Sequence, residues 1–250
     1  MLYEMKIHQL ICLPMIAFSL MAQAETLKFG LNAGYPPFES KNDQNEIVGF
    51  DVDLAKSICD DLKVTCEFVD QSFDSLIPNL KFKRFDAIIS SMDITDERKK
   101  IVSFSEPYYQ NGALFIAQKG KFTTIDSLKG KNIGVLNGST HQKYMSNVFK
   151  DANIKAYPQY AAAVVDLTNG RIDAVFGDDT TALEYLKKDA KLELIEKVVD
   201  DQVYFGTGLG IAVRLDDQAT LDKINKSLAN IKANGTYQKI YEVWFKDRKM

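Results

Sequence analysis

Short apolar runs alternate with helical stretches along most of this chain, and that alternation limits its possible folds more than any other feature. Residues 26–33 place Leu27, Phe29, Leu31 and Ala33 on one face, the period of a strand. Pro36 and Pro37 then remove backbone donors and end it. A turn around Asn45 follows, and a helix is predicted from about Asp51, with Val52, Ala55, Ile58 or Cys59, and Leu62 sharing a face. Residues 65–69 read as a strand. Asp74 caps a helix that tolerates Pro78 near its first turn, where N–H groups are free anyway. Residues 86–90 read as a short buried strand, and a helix is expected to begin at Thr95.

The same grammar returns further along. Strands are predicted at 132–136, 154–157 and 173–176, and helices at 139–149, 162–169 (ended by Gly170) and 180–187. Strands alternating with helices of this length indicate mostly parallel α/β sheets, and the lack of any repeat excludes a solenoid. Two glycine-bearing apolar runs, 112–117 and 208–213, frame the second block. If both cross between lobes, the chain leaves one lobe, builds another and returns. Its 250 residues suffice for two such cores. The tail holds helices at about 216–232 and 236–245, split by Asn234-Gly235, with Trp244 and Phe245 expected in the core.

The first 24 residues differ from the rest. Lys6, an apolar run over 10–22 and then Ala22-Gln23-Ala24 have the order of a secretory signal cleaved between Ala24 and Glu25. The run is too short for a membrane span, which needs roughly twenty residues. A periplasmic mature protein is therefore expected. Cys12 would leave with the signal, and Cys59 and Cys66 remain as an even pair. In an oxidising compartment such a pair favours a disulfide, and its spacing without a nearby histidine disfavours the rival metal site. So short a loop stabilises by only about 2–3 kcal/mol. A net charge of −3 and a pI near 5.5 argue against nucleic acid, whose binders carry a basic patch or stripe.

No catalytic set stands out. His8 lies in the signal, and His141, beside Ser139 and Thr140, reads as an ordinary surface or structural histidine. No nucleophile elbow, zinc-protease motif or phosphate loop is present. Asn137-Gly138-Ser139-Thr140 ahead of a helix offers N–H donors to an anion. The stretch Ser90-Ser91-Met92-Asp93, followed by Arg98, lies where a buried strand ends, the usual place for ligands in open α/β sheets. Arg98 there either grips a carboxylate with paired hydrogen bonds or covers a solvated helix face. Asp178, at a second strand end, is available for an ammonium. Tyr35, Phe38 and Phe73 in loops suit either a planar cation or lid packing.

Several motifs in one order carry a resemblance: Gly34-Tyr-Pro-Pro-Phe-Glu39, Val48-Gly-Phe-Asp-Val-Asp-Leu54, Phe73-Asp-Ser-Leu-Ile-Pro78, residues 90–98, Phe104-Ser-Glu-Pro-Tyr-Tyr109, residues 137–142 and residues 204–213. Over residues 26–246 the chain resembles the periplasmic binding proteins of polar amino-acid ABC transporters, above all arginine binders related to the lysine/arginine/ornithine and histidine binders. The resemblance implies a type II periplasmic-binding-protein fold: two α/β lobes joined by two hinge strands, one lobe from 25–111 and 208–250, the other from 112–207. It implies that Arg98 holds the ligand α-carboxylate, helped by N–H or hydroxyl groups near Ser91 and Thr140, that Asp178 holds the α-ammonium, and that Tyr35 and Phe73 flank the side chain. Relatives also carry a bridge matching Cys59–Cys66. Asn32 stands where the lysine/arginine/ornithine and histidine binders have an aspartate, and Asp93 where they have a serine, as in arginine-specific members. Glu39 is the candidate partner for a guanidinium.

The expected ligand is L-arginine, then lysine or ornithine, histidine or glutamine. The expected partner is a membrane ABC permease, and the protein is expected to act as a monomer without metal or cofactor. Some relatives are dehydratases, so an enzyme on the same scaffold is the distant alternative.

Overall fold

The computed structural model describes residues 25–199 and 201–246. The expected signal segment, residues 1–24, lies outside them. The chain first forms β1 (Thr26–Leu31), a small antiparallel sheet of β2 (Gly34–Tyr35), β3 (Glu39–Lys41) and β4 (Ile47–Val48), then α1 (Phe50–Leu62) and β5 (Thr65–Asp70). Next come α2 (Leu76–Lys81), β6 (Ala87–Ile88) and β7 (Ser103–Phe104). The second block runs β8 (Ala113–Gln118), β9 (Asn132–Leu136), α3 (Thr140–Val148), β10 (Asn153–Tyr157), α4 (Tyr160–Thr168), β11 (Ala174–Asp178), α5 (Asp179–Lys188), β12 (Leu192–Val199) and α6 (Gln202–Phe205). β13 (Ala212–Val213), α7 (Gln218–Ala233) and α8 (Thr236–Phe245) close the fold.

Two five-stranded sheets result, ordered β5-β1-β6-β13-β7 and β10-β9-β11-β8-β12. In each, the first three strands are parallel, the fourth runs against them and the fifth turns back again. The reversed strands, β8 and β13, are those that the glycine-bearing runs feed. Both sheets aim the carboxyl ends of their parallel strands at the cleft, so a chain arriving from the other lobe must start at the cleft and run away from it.

Period-two alternation explains the burial of the second sheet. Along β8, Ala113, Phe115 and Ala117 face one core while Leu114 and Ile116 face the other. Helices cover both faces, as parallel sheets require. In α1, Phe50, Leu54, Ala55, Ile58 and Cys59 are buried in one cluster, a wider stripe than the spacing predicts, and Cys59 is bonded to Cys66 on β5. Phe245 joins the aromatic cluster of Phe38, Phe50, Tyr109 and Tyr241, while the half-buried Trp244 donates its indole N–H to Asp53 at 2.8 Å.

The expected helix at Thr95 is not formed. One 3-10 turn, Arg98–Lys100, stands there, and Thr95 Oγ1 accepts from the Arg98 N–H at 3.2 Å. β7 begins at Ser103, so the chain must straighten before a second turn can close. The strand β12 and the helix α6 carry no clear period in the sequence and appear only in the fold.

The two crossings lie backbone against backbone. Leu209 N–H donates to the Tyr109 carbonyl at 2.8 Å, and Tyr108 N–H donates to the Leu209 carbonyl at 2.9 Å. Gly206 (φ +69°) and Gly208 (φ +111°) permit this approach, because a Cβ would stand 2.0 Å from Ile94 O at the first and 2.6 Å from Tyr109 O at the second.

Candidate functional site

The cavity between the lobes is walled by strand ends and by the turns that follow them. From the first lobe it is lined by Asn32, Tyr35, Glu39, Phe73, Ser90, Ser91 and Asp93, and from the second by Leu136, Ser139, Thr140, His141 and Asp178. Nine of these were legible in the sequence, from segments as far apart as Asn32 and Asp178. Met92 is a correction: it is buried among core side chains and does not line the cavity, because beyond β6 the chain turns at Ser91, with φ +45°, and Met92 follows it into the core. Arg98 stands beside the cavity, at the head of the open groove along the lobe junction.

Each wall is held by hydrogen bonds that the strand ends supply. Asn32 N–H donates to Ser90 Oγ at 3.0 Å, and its side-chain amide donates to Gln71 O at 2.8 Å. Ser91 adopts φ +45°, a region costly for a residue with a Cβ, and in it the Ser91 N–H reaches Asp51 Oδ2 at 2.8 Å. Ser90 Oγ donates to Glu39 Oε1 at 2.9 Å. In the second lobe Ser139 caps α3 by accepting from Gln142 N–H, while Gln142 Oε1 accepts from Gly138 N–H at 2.7 Å. This reciprocal cap leaves the first turn of α3 facing the cavity.

Polar side chains join the two walls. Tyr35 Oη donates to Asp178 Oδ2 at 2.7 Å and accepts from Asp178 N–H at 3.0 Å. Thr140 Oγ1 donates to Asp93 Oδ2 at 2.6 Å. Asn111, on the first crossing, donates to Asp93 Oδ1 at 3.1 Å and also to Asp178 Oδ1. Arg98 donates from Nη1 to the Asp93 carbonyl at 3.0 Å and from Nη2 to the Gly138 carbonyl at 3.4 Å, with its guanidinium 5.4 Å from the Phe73 ring centroid. A guanidinium has five donors, so the two backbone carbonyls leave it capacity for a carboxylate.

The electrostatics of the site are lopsided. Glu39, Asp51, Asp93 and Asp178 are all buried, against one buried arginine. Burial pushes Asp178 up to about 7 and Asp93 up to about 6, with Arg98 and the hydrogen bonds pulling back. Asp51 is raised to about 7 by burial, and Glu39 is raised by burial and by Asp51. His141 is lowered to about 4 by burial, so its imidazole is neutral at pH 7.

Sequence reasoning missed His141, Asn111, Ser139, Leu136 and Asp51. His141 is buried, with its ring against Phe176 and Phe205 and Nε2 3.6 Å from Asp178 Oδ1. Its place directly after Thr140, at a helix start aimed into the cleft, was the available signal. Asn111 had one too, standing immediately before a predicted crossing. Asp51 had none, since it reads as an ordinary acid in the first turn of a helix.

Comparison with known proteins accords with this geometry. Residues 27–247 match the profile of the bacterial extracellular solute-binding proteins, family 3. The chain belongs to that family. A relative in Escherichia coli (strain K12), the ABC transporter arginine-binding protein 1, is 54% identical over 222 residues, 89% of this chain and 91% of that one. A Salmonella typhimurium periplasmic binding protein described for its high arginine specificity superimposes with a TM-score of 0.87 at 43% identity, covering 89% of this chain and 100% of that one. An ancestral arginine-binding protein bound to arginine gives 0.82 at 40% identity, over 88% and 98% of the two chains. As in these solute-binding proteins, the fold is the type II two-lobed one.

Proposed function

We propose that this family-3 protein captures L-arginine between its lobes in the periplasm and delivers it to a membrane ABC permease. One observation carries the reading: three carboxylates, Glu39, Asp93 and Asp178, line the cavity, and the protein's own buried cation, Arg98, stands by Asp93. Near Arg98, the pair Asp93 and Asp178 suits an α-ammonium while Arg98 and Thr140 suit an α-carboxylate. Glu39, backed by Asp51, answers a guanidinium at the other end. Tyr35 and Phe73 line the walls between. The arginine named for the relatives supports the same choice.

Closure follows from this pairing. Each head-group charge has one partner on each lobe, Asp93 and Asp178 for the ammonium and Arg98 and Thr140 for the carboxylate, so an amino acid engages the full set only when the lobes meet. We take 25–111 with 208–250 as one lobe and 112–207 as the other, turning about the glycine-bearing crossings. The mature chain is taken to begin at Glu25 and to act as a monomer.

A thermal-shift panel of the twenty amino acids plus ornithine, followed by calorimetry, tests the proposal. Arginine at 100 times its Kd should add about 2.7 kcal/mol of stability. A shift with glutamine and none with arginine overturns the specificity. Turnover of any bound acid would instead place the protein among enzymes.

A further inference from the structure

Glu39 and Asp51 face one another in the first lobe, both fully enclosed. Ser91 touches both: its N–H donates to Asp51 Oδ2 at 2.8 Å, and its hydroxyl lies 3.5 Å from Glu39 Oε2. Tyr108 Oη donates to Asp51 Oδ2 at 2.9 Å, but Asp51 Oδ1 is buried without any hydrogen-bond partner. Neither carboxylate has an ion pair among the described residues; the buried cation Arg98 stands by Asp93. Two buried carboxylates bridged by one serine oppose each other's charge, and a proton shared between them also answers the orphaned oxygen.

We propose that the Glu39–Asp51 pair holds one proton in the closed ligand-free protein and surrenders it when the cationic end of the ligand arrives, so that arginine capture releases a proton. The inference rests on the arginine reading. The exchange balances: the O–H bond of the pair breaks, its electrons stay on the carboxylate oxygen, the proton passes to buffer, and the guanidinium against Glu39 supplies the positive charge that the proton had supplied. No bond to arginine forms. Asp51 does not line the cavity, so it acts through Glu39 as a positioning residue that sets how strongly Glu39 demands a positive charge.

The surroundings supply no competing charge. Facing the pair are the phenols of Tyr108, after β7, and Tyr237, on α8, with the Asp178 carboxylate across the cleft; the Tyr108 hydrogen bond and the Ser91 N–H favour charge on Asp51, Asp178 opposes it, and burial outweighs both hydrogen bonds. Arg98 and His141 face Asp93 and Asp178 instead. Burial accordingly raises Asp51 to about 7 and Glu39 well above the usual carboxylate range. A neutral side chain such as that of glutamine cannot take the place of the proton. The pair therefore discriminates between cationic and neutral amino acids, and more sharply as pH rises.

Calorimetry of arginine binding at pH 6.5, in phosphate and in Tris, counts the protons released, because the two buffers differ in ionisation heat. Asp93 and Asp178 contribute protons with any amino acid, so the share of the pair is the difference between the wild type and Asp51→Asn. The wild type should release more, up to one proton. Its arginine affinity should climb more steeply than that of the variant between pH 5 and pH 7, by up to about tenfold per unit, and flatten above. Equal proton counts overturn the proposal. In the wild type alone, arginine should remove carboxylic-acid carbonyl absorption from the infrared spectrum, and unchanged absorption overturns it without any variant. Failure to bind arginine overturns both readings, whereas binding with equal counts overturns this one alone.

Discussion

Replacing Arg98 by alanine probes the ligand head-group reading most directly. The guanidinium is held by the Asp93 and Gly138 carbonyls and by the face of Phe73, so its direction is fixed before any ligand arrives. Removing the charged partner of a fully buried carboxylate costs about 3–5 kcal/mol. The Arg98 side chain, however, borders the open groove along the lobe junction, and alanine would let water from that groove reach the carboxylate. Thr140 and the first turn of α3 would also remain. Both effects reduce the loss to about 2–3 kcal/mol, or about 30- to 150-fold in Kd. Arg98→Lys should recover part of it, since a point charge replaces a fork. Isothermal calorimetry with arginine measures both, and circular dichroism checks that the variants fold. An Arg98→Ala affinity within threefold of wild type would refute the assignment of Arg98 to the carboxylate.

Three further outcomes follow from the same geometry. Phe73→Leu keeps an apolar wall but removes the ring under the guanidinium; arginine affinity should fall by about 0.5–2 kcal/mol, and an unchanged Kd would show that the ring is mere packing. The ligand-free protein should close less as pH rises from 5 to 8, as read by small-angle scattering. Asp178 and Asp93, raised to about 7 and about 6 in the closed form, favour closure below the ordinary carboxylate range and lose that contribution as pH climbs through those values. His141, lowered to about 4, works in the opposite sense below about 6.5 but is one group against two. Greater closure at pH 8 than at pH 5 would contradict this sign. Finally, replacing Cys59 and Cys66 by serine should cost about 2–3 kcal/mol in urea unfolding with arginine binding retained, because the bridge ties α1 to β5 away from the cavity.

Local chemistry alone determined much of this protein. Apolar alternation marked β1, β9 and β11, helical spacing marked α1, α3 and α7, and strand-end placement picked out Ser91, Asp93, Thr140 and Asp178 as cavity residues. These signals survive in one dimension because each depends on neighbours within a few positions. What the sequence could not decide depends on groups that meet only after folding. Met92 reads as part of a binding stretch until the turn at Ser91 takes it into the core. Thr95 reads as a helix start until β7 leaves no room for a second turn. Asp51 reads as an ordinary helix acid until α1 buries it near Glu39 of β3, the candidate guanidinium partner, and His141 is an ordinary polar residue until Phe176 and Phe205 enclose it. Burial changes the charge a side chain carries, and burial is a property of the assembled lobes. The alternation of strands and helices thus pointed to α/β sheets, and the motif order to a two-lobed fold, while the tertiary structure decided which charges its cleft contains.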